Sequence, residues 1–172
     1  LGLDTQEELL WVHTSMVDAF IDIARRSGMP IIDSQIDDYL QQMVIFAELV
    51  GIERSTVPNS YTALMQYMSD IQPRLSATEE AKRTAVFLTF PPMSPILRFA
   101  TPAPALWASV ATLAAASLPR WARDLYGWPT FPGHELITNA ALVAFRESAL
   151  RLPESFRMSP YARENRSVEF SR

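Results

Sequence analysis

His13 is the side chain through which this chain would most directly do chemistry. Histidine is scarce here, with His134 the one other copy. Stepping about 100° per residue, Leu9, Met16, Val17, Phe20 and Ala24 fall within about 60° of it. Trp11, Ser15, Asp18, Asp22 and Arg26 point the other way. An imidazole on such an apolar stripe can ligate iron, relay a proton, or donate to a neighbouring carbonyl as a plain core residue. The sequence leaves those three open. Asp18 and Asp22 share a face at i, i+4 spacing, and the simplest reading makes them a solvated face or partners for Arg25 and Arg26 rather than an acid–base pair. A triad of Ser15, His13 and Asp18 is rejected because the three lie on different helical faces.

Other chemistries are excluded by what is missing. The chain has no cysteine, so thiolate nucleophiles, iron–sulfur clusters, thiolate-ligated haem and disulfides within it are ruled out. With two histidines, no zinc site and no other metal-ligand set is expected. The five glycines are scattered and form no phosphate-binding loop. Fifteen basic residues against nineteen acidic give a net charge of −4, which argues against a nucleic-acid partner.

The elements that must position His13 read as helices throughout. A length of 172 residues with 48% hydrophobic content suits one folded domain with a single core. Thr5 and Glu8 form a capping box that predicts a helix to about Arg26, broken by Ser27-Gly28-Met29-Pro30. Asp33 or Ser34 is expected to cap a second, carrying Ile36, Tyr39, Leu40, Met43, Phe46, Ala47 and Val50, with Gly51 ending it. Pro58-Asn59-Ser60 opens a third, stopped by Pro73, and Ser76 with Glu79 opens a fourth running to about Phe90. Met43, Met65, Met68 and Met93 read as core filler.

Five prolines between Pro91 and Pro104 predict a stiff connector with at most one short turn. Helices are then expected over 105–117, from Pro119 to Gly127, and over 135–152, the first and last being the longest. No alternating strand pattern of useful length occurs. The fold class is all-α, with a helical domain over residues 1–153 and a charged C-terminal tail over 154–172. From Val86 to Trp121 the only charges are Arg98 and Arg120. The uninterrupted apolar part, 103–118, falls short of the ~20 residues of a membrane span. A buried core helix is the first reading of this stretch, and a membrane-surface or apolar-substrate-facing element the second.

Leu10-Trp11-Val12-His13 with Val17-Asp18 resembles a signature of the MpaB-type oxygenases, the group that includes the rubber oxygenases or latex-clearing proteins. Gly51-Ile52, Val57-Pro58, Ser60-Tyr61, Leu64 and Tyr67 are similar to the middle of that family. Leu118-Pro119, Arg123 and Leu125-Tyr126-Gly127-Trp128-Pro129 resemble a later motif, and Leu152-Pro153, Arg157 and Pro160-Tyr161-Ala162-Arg163 its C-terminal end. The resemblance implies a globin-like, haem-oxygenase-type helical bundle that binds haem b and acts with dioxygen on an apolar, lipid- or isoprenoid-like substrate. It implies that His13, Met16 and Phe20 line the haem pocket. It also places the iron-ligating histidine on an arginine-x-x-histidine helix upstream of residue 1, with His13 matching the family's second histidine. The chain is accordingly expected to be the C-terminal portion of such a domain. Its uncovered apolar face would be buried by a missing N-terminal segment, a second chain or self-association.

The rival reading is a non-catalytic helical interaction module or a subunit of a larger assembly, in which His13 is a core residue. A third is a lipid-handling protein that uses residues 86–121 at a membrane surface. A cytoplasmic or peripheral-membrane location suits all of them. The sequence identifies no catalytic residue and no particular substrate.

Overall fold

The computed structural model describes residues 5–89, 91, 92, 94, 101–153 and 157. Among these, seven α-helices form and no strand does, as the sequence predicts. The first, α1, spans Gln6–Arg26. Thr5 caps it, its hydroxyl accepting from the Glu8 amide at 3.3 Å. Glu7 and Glu8 in its first turn and Arg25 and Arg26 in its last complement the helix dipole.

Helix α2, Asp33–Leu49, is capped one residue before the first of the two expected caps. Ile32 takes the cap position, and its amide donates to the Gln35 side chain at 3.1 Å. Asp33 is instead free to pair with Arg25. Gly51 follows α2 at φ +89°, a left-handed conformation that lets the chain turn back at once. Helix α3, Tyr61–Ile71, is capped by the Ser60 hydroxyl on the Ala63 amide, and Pro73 falls in the 3-10 turn that ends it.

Helix α4 spans Glu79–Thr89. Its cap is the Thr78 hydroxyl, accepting from Ala81 at 3.1 Å, and not Ser76. A capping hydroxyl must sit immediately before the first helical residue, and only Thr78 does. Helices α5 (Ala103–Ser117), α6 (Arg120–Tyr126) and α7 (His134–Leu150) complete the chain. The last helix, at 17 residues, only equals α2, so the expected ranking of lengths holds for α1 alone. Met93, most of the 91–104 connector and all of the 154–172 tail except Arg157 lie outside the described residues.

The core is where α1, α2 and α3 meet. Val17 and Ile21 of α1 pack with Ile36 and Leu40 of α2 and Leu64 of α3, and Met16, Met43, Met65 and Met68 fill in around them. Each such aliphatic side chain contributes roughly 1.5–3 kcal/mol when fully buried. A second cluster, Val44, Ala47, Ile52 and Val57, holds the turn after α2 against Leu9 and Leu10. Gln6 ties the same turn to the start of α1, donating to the Gly51 carbonyl at 2.7 Å and accepting from the Glu53 amide at 3.1 Å. Beyond this core, α5 packs against α7 and α4, while α7 returns to the C-terminal end of α1.

Candidate functional site

The buried face of α1 runs through His13, Thr14, Val17 and Ile21. It is turned toward Thr14 and Ile21 relative to the expected stripe, which leaves Phe20 at its edge, 56% exposed. Met16 is half-buried against the core. His13 is 5% exposed and lies nearly parallel to Phe46 of α2, at an interplanar angle of 20° and a centroid separation of 6.0 Å. Burial pushes its pKa below the ordinary 6.5, so the ring is held neutral. Its Nδ1 is fully enclosed with no hydrogen-bond partner, and the hydroxyl of Thr14 beside it is in the same condition. Unpaired buried polar atoms on consecutive residues cost stability.

The carboxylates on the far side of α1 divide. Asp22 pairs with Arg26 at 2.9 Å, while Arg25 pairs with Asp33 and lies over the Tyr61 ring at 4.5 Å. Asp18 takes neither arginine. Burial, and then the neighbouring charge of Asp22, raise its pKa above the ordinary carboxylate value.

A polar node that sequence reasoning missed sits where α5, α6 and α7 meet the end of α1. Leu118-Pro119 stops α5 and leaves its last carbonyls without helical partners. Arg123, its side chain only 2% exposed, answers two of them: Nη1 donates to Ala116 at 3.0 Å and to Leu118 at 2.9 Å. Arg26 donates to Ser117 at 2.7 Å, and His134 Nε2 lies 2.9 Å from the Ala116 carbonyl. Glu135 bridges the two arginines, at 2.9 Å from Arg123 and 3.2 Å from Arg26. The hydrogen bond from Arg123 holds its carboxyl below the usual range. The signal that could have found this node was the uncapped, uncharged end of α5 followed by proline.

Residues of the middle motif have structural roles. Val57 and Ile52 join the second cluster, Leu64 the first, and the Tyr61 amide donates to Asp37 at 2.7 Å. Tyr67 lines both a groove of about 850 Å³ along α3 and a smaller one of about 400 Å³ beside the start of α1. Neither groove is lined by His13, Met16 or Phe20. In the later motifs Gly127 ends α6 at φ +71°, Tyr126 packs against Trp128 at 5.5 Å, and Arg157 donates to the Leu152 carbonyl at 2.9 Å. Pro160 to Arg163 lie outside the described residues.

Among the described residues no group of three histidine, aspartate or glutamate side chains is placed to hold a metal ion. Compared with known protein families, residues 2–147 match the model described as "ER-bound oxygenase mpaB/B'/Rubber oxygenase, catalytic domain". No curated protein and no solved structure matches.

Proposed function

Because this chain belongs to the mpaB/rubber oxygenase catalytic-domain family, we propose that it works as a haem-dependent oxygenase on an apolar, lipid- or isoprenoid-like substrate. In this reading the open edge of α1 and α2 beside His13 is a wall of the compartment holding cofactor and substrate. The observation that carries it is His13 itself: a neutral imidazole, stripped of water, stacked on Phe46 and left without a polar partner on Nδ1.

The fit to a haem divides between wall and ligand. Phe20 and Phe46 expose apolar ring surface along the same edge as His13, which suits the face of a porphyrin. Of the two histidines, His134 directs Nε2 to the Ala116 carbonyl, and His13, with Nδ1 enclosed, has only Nε2 to offer. A haem bound here would supply the redox chemistry of dioxygen activation. What the residues of this chain do is bind and exclude. Phe20, Phe46 and Met16 offer an apolar surface that a hydrocarbon substrate wets better than water does. His13 keeps a neutral, polarisable ring at its margin.

The test is absorbance of the protein loaded with haem b, as wild type and as His13→Ala, His13→Gln and Phe20→Asp. The expected result is a Soret band that His13→Ala shifts without abolishing and that Phe20→Asp weakens. Complete loss of haem in both His13 variants would make this residue the ligand and overturn the lining role. An unmoved band in all three variants would remove this face from the cofactor altogether.

A further inference from the structure

We propose that the groove along α3 binds a linear aliphatic polyamine, its ammonium groups meeting Glu53 and Asp70 and its methylenes lying against Val57, Pro58 and Ala63. The inference rests on this groove alone and stands apart from the cofactor reading, since His13, Met16 and Phe20 do not line it.

Two grooves adjoin here. One, of about 850 Å³, lies between the 3-10 turn Arg54–Thr56 and α3; the other, of about 400 Å³, lies beside the start of α1. Thr56, Tyr67 and Asp70 line both, so the two meet at Tyr67. Along α3 the lining runs from Ala63 to Asp70, about 10 Å at 1.5 Å per residue. At the junction the Tyr67 hydroxyl oxygen is enclosed and has no hydrogen-bond partner. A buried phenol usually finds one, so this one points to a group that the described residues do not supply. Burial, and then the nearby Glu7 carboxylate, push its pKa above the ordinary value, with Arg74 acting the other way. The phenol is therefore neutral and able to accept from an ammonium. The ion pair of Glu7 with Arg74 stands beside it, both side chains more than half exposed, and such a pair parts at little cost.

Charge decides the class of ligand. The two cations on the walls are already taken, Arg54 by Glu48 at 2.7 Å and Arg74 by Glu7. Glu53 and Asp70 have neutral donors instead: the Ser55 hydroxyl donates to Glu53 at 2.7 Å, and the Gln66 amide to Asp70 at 2.8 Å. A neutral or anionic ligand would leave both carboxylates without a cation. A metal ion needs several such groups around one point, and no three come together among the described residues. An elongated organic cation meets the carboxylates one at a time, and its methylene chain suits the apolar walls.

The test is titration calorimetry of the full chain with spermidine, a linear triamine, and with butylamine, which carries a single ammonium group. Spermidine should bind, and butylamine at least about tenfold more weakly, because it meets one carboxylate at a time. Glu53→Gln and Asp70→Asn should each weaken spermidine binding about fivefold, and Tyr67→Phe about threefold. Asp38→Asn, at an exposed carboxylate of α2 outside the groove, should leave it unchanged. Unchanged circular dichroism will establish that the variants fold. As a second readout, spermidine should perturb the tyrosine ultraviolet spectrum of the wild type and of Asp38→Asn, and much less that of Tyr67→Phe. Folded wild type that does not bind spermidine, or binds butylamine as tightly, overturns the proposal. So does an Asp38→Asn protein weakened as much as Asp70→Asn, or displacement of spermidine by magnesium chloride at equal ionic strength, since either would reduce binding to the acidity of the whole chain.

Discussion

Replacing Arg123 is the sharpest perturbation of this fold, because its side chain is 2% exposed and closes the end of an otherwise uncapped helix. Three charge-assisted hydrogen bonds leave with it, to the carbonyls of Ala116 and Leu118 and to Glu135. Their loss is unequal. Ala116 keeps His134, and Glu135, 59% exposed at its side chain, keeps Arg26 and reaches water. The Leu118 carbonyl is left with no other hydrogen bond. A part-buried carbonyl left without a partner costs about 1–2 kcal/mol, toward the lower end of the range for unpaired groups. The cavity adds roughly 1–2 kcal/mol more, while removing the unpartnered Arg123 Nε gives a little back. Arg123→Ala should therefore destabilise by about 2–4 kcal/mol, overlapping the range for breaking a buried pair from one side.

Arg123→Lys, a point charge without the fork, keeps one contact and should cost about half as much. Urea unfolding followed by circular dichroism measures both, and hydrogen exchange should show lost protection at the α5–α6 junction in each variant. A cost below about 1 kcal/mol for Arg123→Ala, or an Arg123→Lys protein as stable as wild type, would refute the capping argument. The node also sets an acid limit. Glu135 has its pKa depressed in the fold, so its contribution is complete above the ordinary value of 4.5 and is lost as pH falls toward the lower folded value. Glu135→Gln should flatten that part of the stability curve.

His13 gives a dependence of the same sign at higher pH. Its pKa is lowered by burial from 6.5, so the unfolded chain takes up a proton first and stability should fall as pH drops below about 6.5; His13→Leu should abolish that slope in urea titrations at pH 5.5 and 7.5 without costing stability at neutral pH. Gly51, at φ +89° with open space around the position of an added Cβ, should lose about 1 kcal/mol on substitution by alanine through backbone strain alone, read as a shift in the urea midpoint at constant m-value.

Element order was legible because it is local. Thr5, Ser60, Gly51, Pro73, Pro119 and Gly127 each act within a turn of where they stand, and each marks a real boundary. Two caps were displaced, at Ile32 and Thr78, by choices among neighbouring residues that differ by fractions of a turn. The buried face of α1 was legible only to about one residue. A hydrophobic count centres it near His13, whereas α2 and α3 together cover the side of Thr14 and Ile21 and leave Phe20 open. The end of α5 signalled a need for partners, but not which ones, since Arg26 and Asn139 are 113 positions apart and no periodicity links them.

That distance in sequence gives α1 a mechanical role. His13 and Arg26 stand on one uninterrupted 21-residue helix. They are separated by about 20 Å along its axis at 1.5 Å per residue. At one end Arg26 grips Ser117, Glu135 and Asn139, so α1 is fixed to α5 and α7 through charge-assisted bonds. At the other end Gln6 and Leu10 fasten it to the turn after α2. A close-packed helix held at both ends moves as a rod. Arg123 and Glu135 thus help to hold the Arg26 end of the helix that carries His13, without touching the imidazole.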